Sequence, residues 1–185
     1  EAICSVLLLD ESGRRLLNGA APRLPDFYNE AIHGLEIGPT VGSCGTAAFT
    51  GKRYIAENIE THPHWAPFLE LTRKAGLRSC WSEPILSVDQ QVLGTFAIYH
   101  SVPRTPKPAE LEVIAIAASL CSIAIERHRI GRGIHARVGL GWVLHPFARL
   151  GEASVAGGLV GPFDPAELHG LARLGLDRHE EIGVL

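Results

Sequence analysis

Gly38-Pro-Thr-Val-Gly-Ser-Cys-Gly-Thr-Ala-Ala48 is the stretch of sequence that decides how this chain folds. Its first residues cannot form regular structure easily, because glycine and proline at this density favour turns. Ser43 has a side chain that is preferred at a helix N-terminus, so we predict that it caps a short helix over residues 44–50. The stretch therefore indicates a loop that leads directly into a helix.

The residues before this loop indicate a hairpin and a helix. Residues 3–9 are an apolar run typical of a strand, residues 10–13 have the composition of a turn, and residues 14–17 resume an extended pattern. Apolar residues then recur at helical spacing between Pro25 and Gly34. We therefore predict a β-hairpin followed by a short helix.

The residues after the loop indicate three strands and another helix. Tyr54–Ala56 is a minimal strand, and apolar residues recur at helical spacing over residues 65–75. Two longer strands, Ser79–Leu86 and Val92–His100, are separated by a short polar segment. Because so short a connection cannot form a crossover, the two strands must pair antiparallel.

Residues 106–129 form the longest predicted helix, which begins at proline and acidic residues and ends at basic ones. It carries two apolar stripes. One stripe suffices to cover a sheet, and a second requires another surface. We therefore predict a homodimer through the first stripe, with burial of the helix by the chain's own tail as the alternative. The first stripe is Leu111, Ile114, Ala118, Cys121 and Ile125, and the second is Val113, Ile116, Leu120, Ile123 and Ala124.

The composition argues against several classes of partner. The 185 residues include 17 Lys+Arg and 20 Asp+Glu, which gives a net charge of −3 without a basic block. We therefore expect no nucleic acid and no direct membrane contact, and the apolar runs are too short or too interrupted to cross a bilayer. Four cysteines are too sparse for a disulfide scaffold. A cytoplasmic protein with reduced thiols is expected, and Glu1 indicates a fragment of a longer chain.

Several local motifs resemble those of GAF domains, the small-molecule sensor modules of bacterial signalling proteins. The resemblance is to GAF domains that precede diguanylate cyclase, phosphodiesterase or histidine-kinase domains, and it covers residues 1–129 without the helix that usually comes first. The motifs are residues 38–48, Thr50-Gly51, the helix at Trp65, Gly76-Leu-Arg-Ser-Cys-Trp-Ser-Glu-Pro-Ile85, Leu93-Gly-Thr-Phe-Ala97, Pro103-Arg-Thr-Pro106 and Ala124-Ile-Glu-Arg-His128.

The resemblance implies an α+β fold with a central antiparallel sheet of six strands. Short helices would roof one face of this sheet, and the long C-terminal helix would cover the other. The pocket of such a module lies under the roof, so we expect a small-molecule ligand there, with its identity and any cofactor unknown. The candidate ligand-binding residues are Cys44, Phe49, Trp65, Phe68, Cys80, Trp81 and Glu83. Core packing is the alternative role for the tryptophans, and a solvated strand position is the alternative for Glu83.

The two cysteines in this set suggest thiol chemistry. Cys44 is similar to the pocket thiol of the free methionine sulfoxide reductases, which are also related to GAF domains. Those enzymes have their other cysteines in segments that contain none here, and Cys80 lies later in the chain. Cys44 and Cys80 are therefore either a redox pair or two buried thiols that pack as small apolar groups.

Two other chemistries fit the spacing poorly. Residues 45–52 depart from a phosphate-binding loop, because the loop is one residue too long and Arg53 replaces the hydroxyl that would hold magnesium. His62 and His64 lack the spacing of a structural zinc site and flank a proline, which is typical of a turn. We predict no metal site.

Residues 130–185 are predicted to be a mainly helical linker or part of a following domain, with one helix over residues 166–174. Residues 130–143 are similar to the helix of globin-coupled sensors that supplies the haem-binding histidine, and this similarity assigns that role to His135. A globin is much larger than this tail, so a haem pocket cannot close here without further sequence.

We predict a regulatory domain that is not itself catalytic. It would sense a small molecule or a redox change and control an output such as cyclic-di-GMP turnover or a histidine kinase. The alternatives are an enzyme like the free methionine sulfoxide reductases and a ligand-free dimerisation scaffold. All three hypotheses require the Cys44 turn and the strand that contains Cys80 and Trp81 to meet over a shared hollow.

Overall fold

Six antiparallel strands form a single sheet in the computed structural model, which describes residues 2–130. The strands are β1 (Ala2–Leu9), β2 (Arg15–Ala20), β3 (Leu35–Glu36), β4 (Tyr54–Ala56), β5 (Ser79–Leu86) and β6 (Val92–His100). Their order across the sheet is β3-β2-β1-β6-β5-β4. The predicted helix over residues 166–174 and the candidate haem ligand His135 lie outside the described residues.

A close approach of two backbones fixes the centre of the sheet. Strand β1 pairs with β6 from Ala2 opposite His100 to Leu8 opposite Gly94. A Cβ atom built on Gly94 would lie 2.1 Å from the carbonyl oxygen of Leu7. Only glycine fits at this position, because any side chain would force the two strands apart.

Short helices cover one face of the sheet and form the roof that the resemblance implies. They are α1 (Asp26–Ile32), α2 (Gly42–Thr50), the 3-10 segments Ile59–Thr61 and Pro63–Phe68, and α3 (Leu69–Lys74). The single helix predicted over residues 65–75 is divided at Phe68. Pro67 lies inside the second 3-10 segment and has no N–H group to donate, so the α-helical hydrogen-bond pattern begins only after it.

Helix α4 (Pro108–Ile130) covers the opposite face, so the predicted α+β architecture is confirmed. The sheet thus separates two apolar cores, one beneath the roof and one beneath α4. Successive residues of a strand point to opposite faces. For this reason Cys80 and Tyr99 belong to the roof core, whereas Trp81 and Phe96 belong to the α4 core.

The stripe of α4 that was predicted to form the dimer surface is buried against the protein's own sheet. Ile114 and Cys121 are fully buried, and Ala118 and Ile125 nearly so, all of them in the α4 core. Leu111 is half-buried on the same helix. Side chains that pack on the sheet cannot also face a second subunit, so this assignment of the dimer surface is wrong. The second stripe faces outward, with Ile116, Leu120 and Ile123 exposed by 58%, 46% and 62%.

Helix α4 is also long and apolar enough to be considered as a membrane span. Pro108–His128 has a mean hydropathy of 1.7 and is the one such candidate among the described residues, and 33% of its most apolar window is buried. The core helix of a globular domain has the same properties. The Ser122 hydroxyl donates a 2.6 Å hydrogen bond to the carbonyl oxygen of Leu86, which attaches α4 to the sheet.

Candidate functional site

Cys44 lies in the first turn of α2, over strands β5 and β6 on the roofed face. The helix begins at Gly42 and its N-cap residue is Val41, which provides no side-chain cap. Ser43 is therefore inside the helix, and the prediction that it caps the N-terminus is wrong. The helix can lie close to the sheet because its buried residues are small, and Cys44 is only 6% exposed as a result.

Ser43 instead joins the roof to the sheet. Its hydroxyl donates a hydrogen bond to the carbonyl oxygen of Cys80 at 3.2 Å and accepts one from the indole N–H of Trp65, also at 3.2 Å. Both bonds are buried, where a hydrogen bond to a fixed partner orients its groups strongly. The Cys44 turn and Cys80 therefore meet directly beneath the roof.

The Cys44 sulfur is surrounded by groups that donate hydrogen bonds. The Tyr99 hydroxyl lies 3.6 Å from it, and the Cys80 thiol and the Ser82 and Thr95 hydroxyls are close enough to influence its pKa. These groups, with Cys80 contributing most, lower the pKa of Cys44 to about 7 even though burial opposes the change. Burial raises the pKa of Cys80 well above its ordinary value. Cys44 is therefore the more acidic of these two thiols.

The hollow beside Cys44 is nearly filled by side chains. Its volume is about 20 Å³, which is enough for one molecule of the size of water. Trp65 and Phe68 close it from the roof in an edge-to-face contact with ring centroids 6.1 Å apart. Tyr28 and Tyr99 line it in a similar contact at 6.1 Å. An organic ligand would therefore enter only if the roof opened.

Four of the seven candidate ligand-binding residues do not line this hollow: Cys80, which lies in the same core beneath the roof, and three others that lie elsewhere. Trp81 and Glu83 follow Cys80 at odd spacings on β5, so they face α4, where Trp81 packs in the core and Glu83 forms an ion pair with Arg53. Phe49 is 55% exposed at the end of α2. The prediction that these three side chains line the same hollow as Cys44 is wrong, because a strand presents alternate residues to its two faces.

Four residues at the site were not among the candidates, although sequence could have pointed to one of them, Ser82. Ser82 follows Cys80 at the two-residue period of a strand, and Thr95 and Tyr99 share one face of β6 for the same reason. The register that places Tyr99 opposite Cys80 is visible only in the structure. No local pattern marks Tyr28 as a neighbour of the site.

A chain of hydrogen bonds runs through the roof beside this site. The backbone N–H of His64 donates to Nδ1 of His62 at 3.3 Å, so neutral His62 carries its proton on Nε2. The Tyr54 hydroxyl lies 3.4 Å from Nε2 of both histidines. Nδ1 of His64 is 3.2 Å from the hydroxyl of Thr46, which itself donates to the carbonyl oxygen of Gly42 at 2.7 Å. The chain thus connects the second 3-10 segment to the first turn of α2.

The protonation state of His62 is set by its surroundings. Burial, and to a smaller extent the neighbouring His64, lower its pKa. The neutral form is the one that accepts the His64 amide. Among the described residues, no cluster of three or more His, Cys, Asp or Glu side chains is arranged to hold a metal ion.

A larger and more open groove lies at the outer edge of the sheet. Its volume is about 590 Å³, and it runs between the segment after β4 and the start of α4. Glu57, His62, Thr105 and Leu111 are among its lining residues, and none of its lining residues borders the hollow at Cys44. The two spaces are therefore separate.

Comparison with known proteins agrees with the fold and with a sensory role. The family model for the GAF domain matches residues 1–126. The methyl sulfide methyltransferase-associated sensor of Methanosarcina acetivorans is 45% identical over 124 residues, which is 67% of this chain and 12% of that protein. The chain thus spans about an eighth of the length of this curated relative.

Two solved structures show the same architecture. The domain of a two-component sensor histidine kinase protein from Sinorhizobium meliloti has a TM-score of 0.58 at 21% identity, over 71% of this chain and 82% of that one. The reduced form of fRMsr of Staphylococcus aureus has a TM-score of 0.51 at 18% identity, over 66% and 70%. At these identities the likeness concerns the fold alone. The family match over residues 1–126, together with the roofed antiparallel sheet, shows that this chain belongs to the GAF domain family.

Proposed function

We propose that this GAF domain is the input module of a cytoplasmic signalling protein. A small molecule or a redox change beneath the roof alters the packing of α4 against α4 of a second copy, and this change controls an output domain. A histidine kinase or an enzyme of cyclic-di-GMP turnover is the expected kind of output. The observation that carries the proposal is that a single sheet separates the Cys44 site from a helix whose outward face is apolar.

The outward face of α4 has the spacing of a helix-pairing seam. Ile116, Leu120 and Ile123 recur at intervals of four and three residues, as the apolar positions of a coiled coil do. Exposed apolar side chains arranged in one stripe are typical of interaction surfaces. The relative that is 45% identical is itself named as a sensor, which supports an input role for this domain.

The energy required for switching is modest. An input that favours one packing of the two helices a hundredfold shifts their equilibrium by about 2.7 kcal/mol. That shift is sufficient to convert an evenly balanced pair of states almost entirely to one of them. One or two altered contacts beneath the roof, such as the bonds of Ser43, provide free energies of this order.

Light scattering after size-exclusion chromatography tests the dimer in the full 185-residue chain. We expect a dimer at micromolar concentration, and a monomer when Ile116→Glu or Ile123→Glu places a charge in the seam. Val102→Glu is the matched control, because Val102 is an equally exposed apolar residue outside α4. A monomeric unmodified chain, or a dimer that both seam variants retain, would overturn the proposed output route.

A ligand-free dimerisation scaffold is the second candidate, and the filled hollow favours it. Native mass spectrometry of the protein purified from cells separates the two functions. A bound small molecule or a population oxidised at Cys44 supports an input, whereas an unmodified and unliganded dimer under all conditions supports the scaffold.

A thiol enzyme is the third candidate, because Cys44 is acidic enough to act as a nucleophile near pH 7. Its hollow is much smaller than an amino-acid sulfoxide, so turnover would require the roof to open. Incubation with free methionine sulfoxide and a dithiol tests this function. Product formation that Cys44→Ser abolishes would establish a reductase.

A further inference from the structure

Two thiols lie side by side beneath the roof. Ser43, next to Cys44, donates a 3.2 Å hydrogen bond to the carbonyl oxygen of Cys80, and the Cys44 sulfur lies 3.6 Å from the hydroxyl of Tyr99, the residue opposite Cys80 in the sheet; both cysteines are buried. The sulfur atoms of a disulfide are about 2.05 Å apart. The two thiols come together in one core from different elements, α2 and β5, so a bond between them would join the roof to the sheet.

The four cysteines of the chain differ in acidity. Cys44 has a pKa of about 7, whereas burial raises the pKa of Cys4 and of Cys121 to about 12. Cys4 and Cys121 lie on the α4 side of the sheet, where burial is the main influence on the pKa of each thiol. Because the thiolate is the nucleophilic form of cysteine, Cys44 is the thiol that reacts first.

Two buried hydroxyls strengthen the argument for a built site. Ser82 and Thr95 are fully buried, and within the described residues their hydroxyls have no conventional hydrogen-bond partner. Both also contribute to lowering the pKa of Cys44. Buried hydroxyls are normally hydrogen-bonded, so this arrangement fits an anionic sulfur or an oxygen atom attached to it.

The size of the hollow restricts what can reach the sulfur. Its volume of about 20 Å³ has room for a molecule of the size of water, and Cys44 is one of the residues that line it. Hydrogen peroxide is only slightly larger than water. A metabolite with several carbon atoms would collide with Trp65 and Phe68, which close the hollow.

We propose that Cys44 is a peroxide-reactive thiol and that Cys80 converts its oxidised form to a Cys44–Cys80 disulfide. This inference deepens the proposed function, because it names hydrogen peroxide as the input at the same site. The chemistry itself does not depend on whether α4 dimerises, so the two proposals can fail separately.

The reaction balances in two steps. The Cys44 thiolate attacks one oxygen of the peroxide, the O–O bond breaks, and the departing hydroxide takes up a proton to form water. Cys44 is then a sulfenic acid. The Cys80 thiol loses its proton and attacks the Cys44 sulfur, the S–O bond breaks, and a second water leaves with that proton. Two thiols have lost two electrons and one peroxide has become two waters. Reduction by a cellular dithiol requires the roof to open, after which the dithiol reverses the oxidation by exchange and becomes a disulfide itself.

Thiol counting on the full, reduced chain tests the proposal. We expect that brief treatment with hydrogen peroxide at neutral pH lowers the number of alkylatable thiols from four to two. The intact mass should fall by two hydrogens, and peptide mapping should find Cys44 joined to Cys80. Cys44→Ser should slow peroxide-dependent thiol loss at least about tenfold, because the remaining thiols are protonated.

Three further variants make the result specific. Cys80→Ser should form a sulfenic acid on Cys44, which raises the intact mass by one oxygen and which dimedone traps when it is added together with denaturant, whereas Cys121→Ser should behave like the unmodified chain. Ser82→Ala should slow the reaction severalfold and move its pH profile upward, because one donor to the thiolate is lost. Oxidation of Cys4 or Cys121 as fast as Cys44, or loss of Cys44 thiol without any Cys44–Cys80 linkage, would overturn the proposal. A disulfide that forms while the oligomeric state stays unchanged would confirm this chemistry and count against the output route only.

Discussion

Gly94 is the residue whose replacement should disturb the fold most, because it lies where β1 and β6 approach each other. A methyl group at Gly94 would be 2.1 Å from the Leu7 carbonyl oxygen and 3.1 Å from the Cα atom of Leu8. Both neighbours are backbone atoms and cannot rotate away. We expect Gly94→Ala to lower the free energy of unfolding by about 3 kcal/mol, measured by urea denaturation.

Gly13→Ala is the control for this measurement. Gly13 has a φ of +70° and no atom within 4 Å of an added Cβ, so alanine there adds backbone strain without a collision. We expect a loss of about 1 kcal/mol. Equal losses for the two variants would contradict the close approach.

For single residues, the sequence predicted Cys44 as a candidate but did not predict which side chains surround it. Cys44 was a candidate because it follows a glycine-rich loop, and the structure places it over strands β5 and β6 on the roofed face. Trp81 and Glu83 were assigned to the same hollow as Cys80, although a strand cannot direct residues 80 and 81 to one face. Tyr28 could not have been found, because its contact with Tyr99 depends on how α1 lies on the sheet.

The second 3-10 segment depends on one imidazole at its N-terminus. Nδ1 of His62 accepts the backbone N–H of His64, and this bond holds the turn that carries Trp65. Protonated His62 has no free Nδ1 and cannot make the bond. Its folded pKa is lowered, so the bond contributes stability above the unfolded pKa of about 6.5, and the contribution is lost as pH falls through the folded pKa.

Amide hydrogen exchange over residues 62–68 measures this cap. We expect His62→Ala to reduce protection there by about 1 kcal/mol, as for loss of a helix cap. His62→Asn should retain most of the protection, because the asparagine side chain can accept the same amide and does not titrate near pH 6. If His62→Asn loses protection on acidification as steeply as the unmodified protein, the cap is not the titrating element.

For the helices and strands, the spacing of apolar residues predicted which elements are present better than it predicted where each one begins and ends. Ser79–Leu86 and Val92–His100 have the bounds that the sequence predicted, because both strands end at turn residues. The strand β3 has only two residues and no pattern to reveal it. The two stripes of α4 were recognised, but sequence alone could not tell which one packs on the sheet, since both are apolar at helical spacing.

Acid should destabilise the whole molecule through His100. This residue is 5% exposed at the end of β6, beside the Trp81 ring, and its pKa is lowered to about 4 by burial, with a further contribution from Arg104 that Glu110 partly offsets. Between pH 6.5 and 4 the unfolded chain therefore binds a proton that the folded chain does not. The free energy of unfolding should fall over this range, by on the order of 2 kcal/mol at pH 4.

Urea denaturation at pH 7 and pH 4 checks this expectation. His100→Gln should remove that part of the pH dependence, since glutamine does not titrate. His128→Gln is the control, because His128 is exposed at the end of α4. The same loss of stability on acidification in the His100 variant and in the control would mean that other groups cause it.

For the whole molecule, the six-stranded antiparallel sheet with helices on both faces was predicted through the resemblance of the local motifs to GAF domains, since the residue patterns alone indicate five of the six strands. The volume enclosed beneath the roof was not predictable. It depends on how closely Trp65 and Phe68 pack over Cys44, and no pattern in the sequence indicates this.

The opposite orientations of Cys80 and Trp81 have a mechanical consequence. The two residues share one peptide group, which is planar and stiff, so the chain cannot rotate at one of them without tilting the other. The Trp81 ring lies 4.5 Å from the ring of His100 and 5.4 Å from the Arg104 guanidinium, just before α4 begins. Bond formation that displaces Cys80 would thus also move Trp81 through their shared peptide group. The displacement would reach the start of α4 directly across the sheet and would not have to pass around its edge.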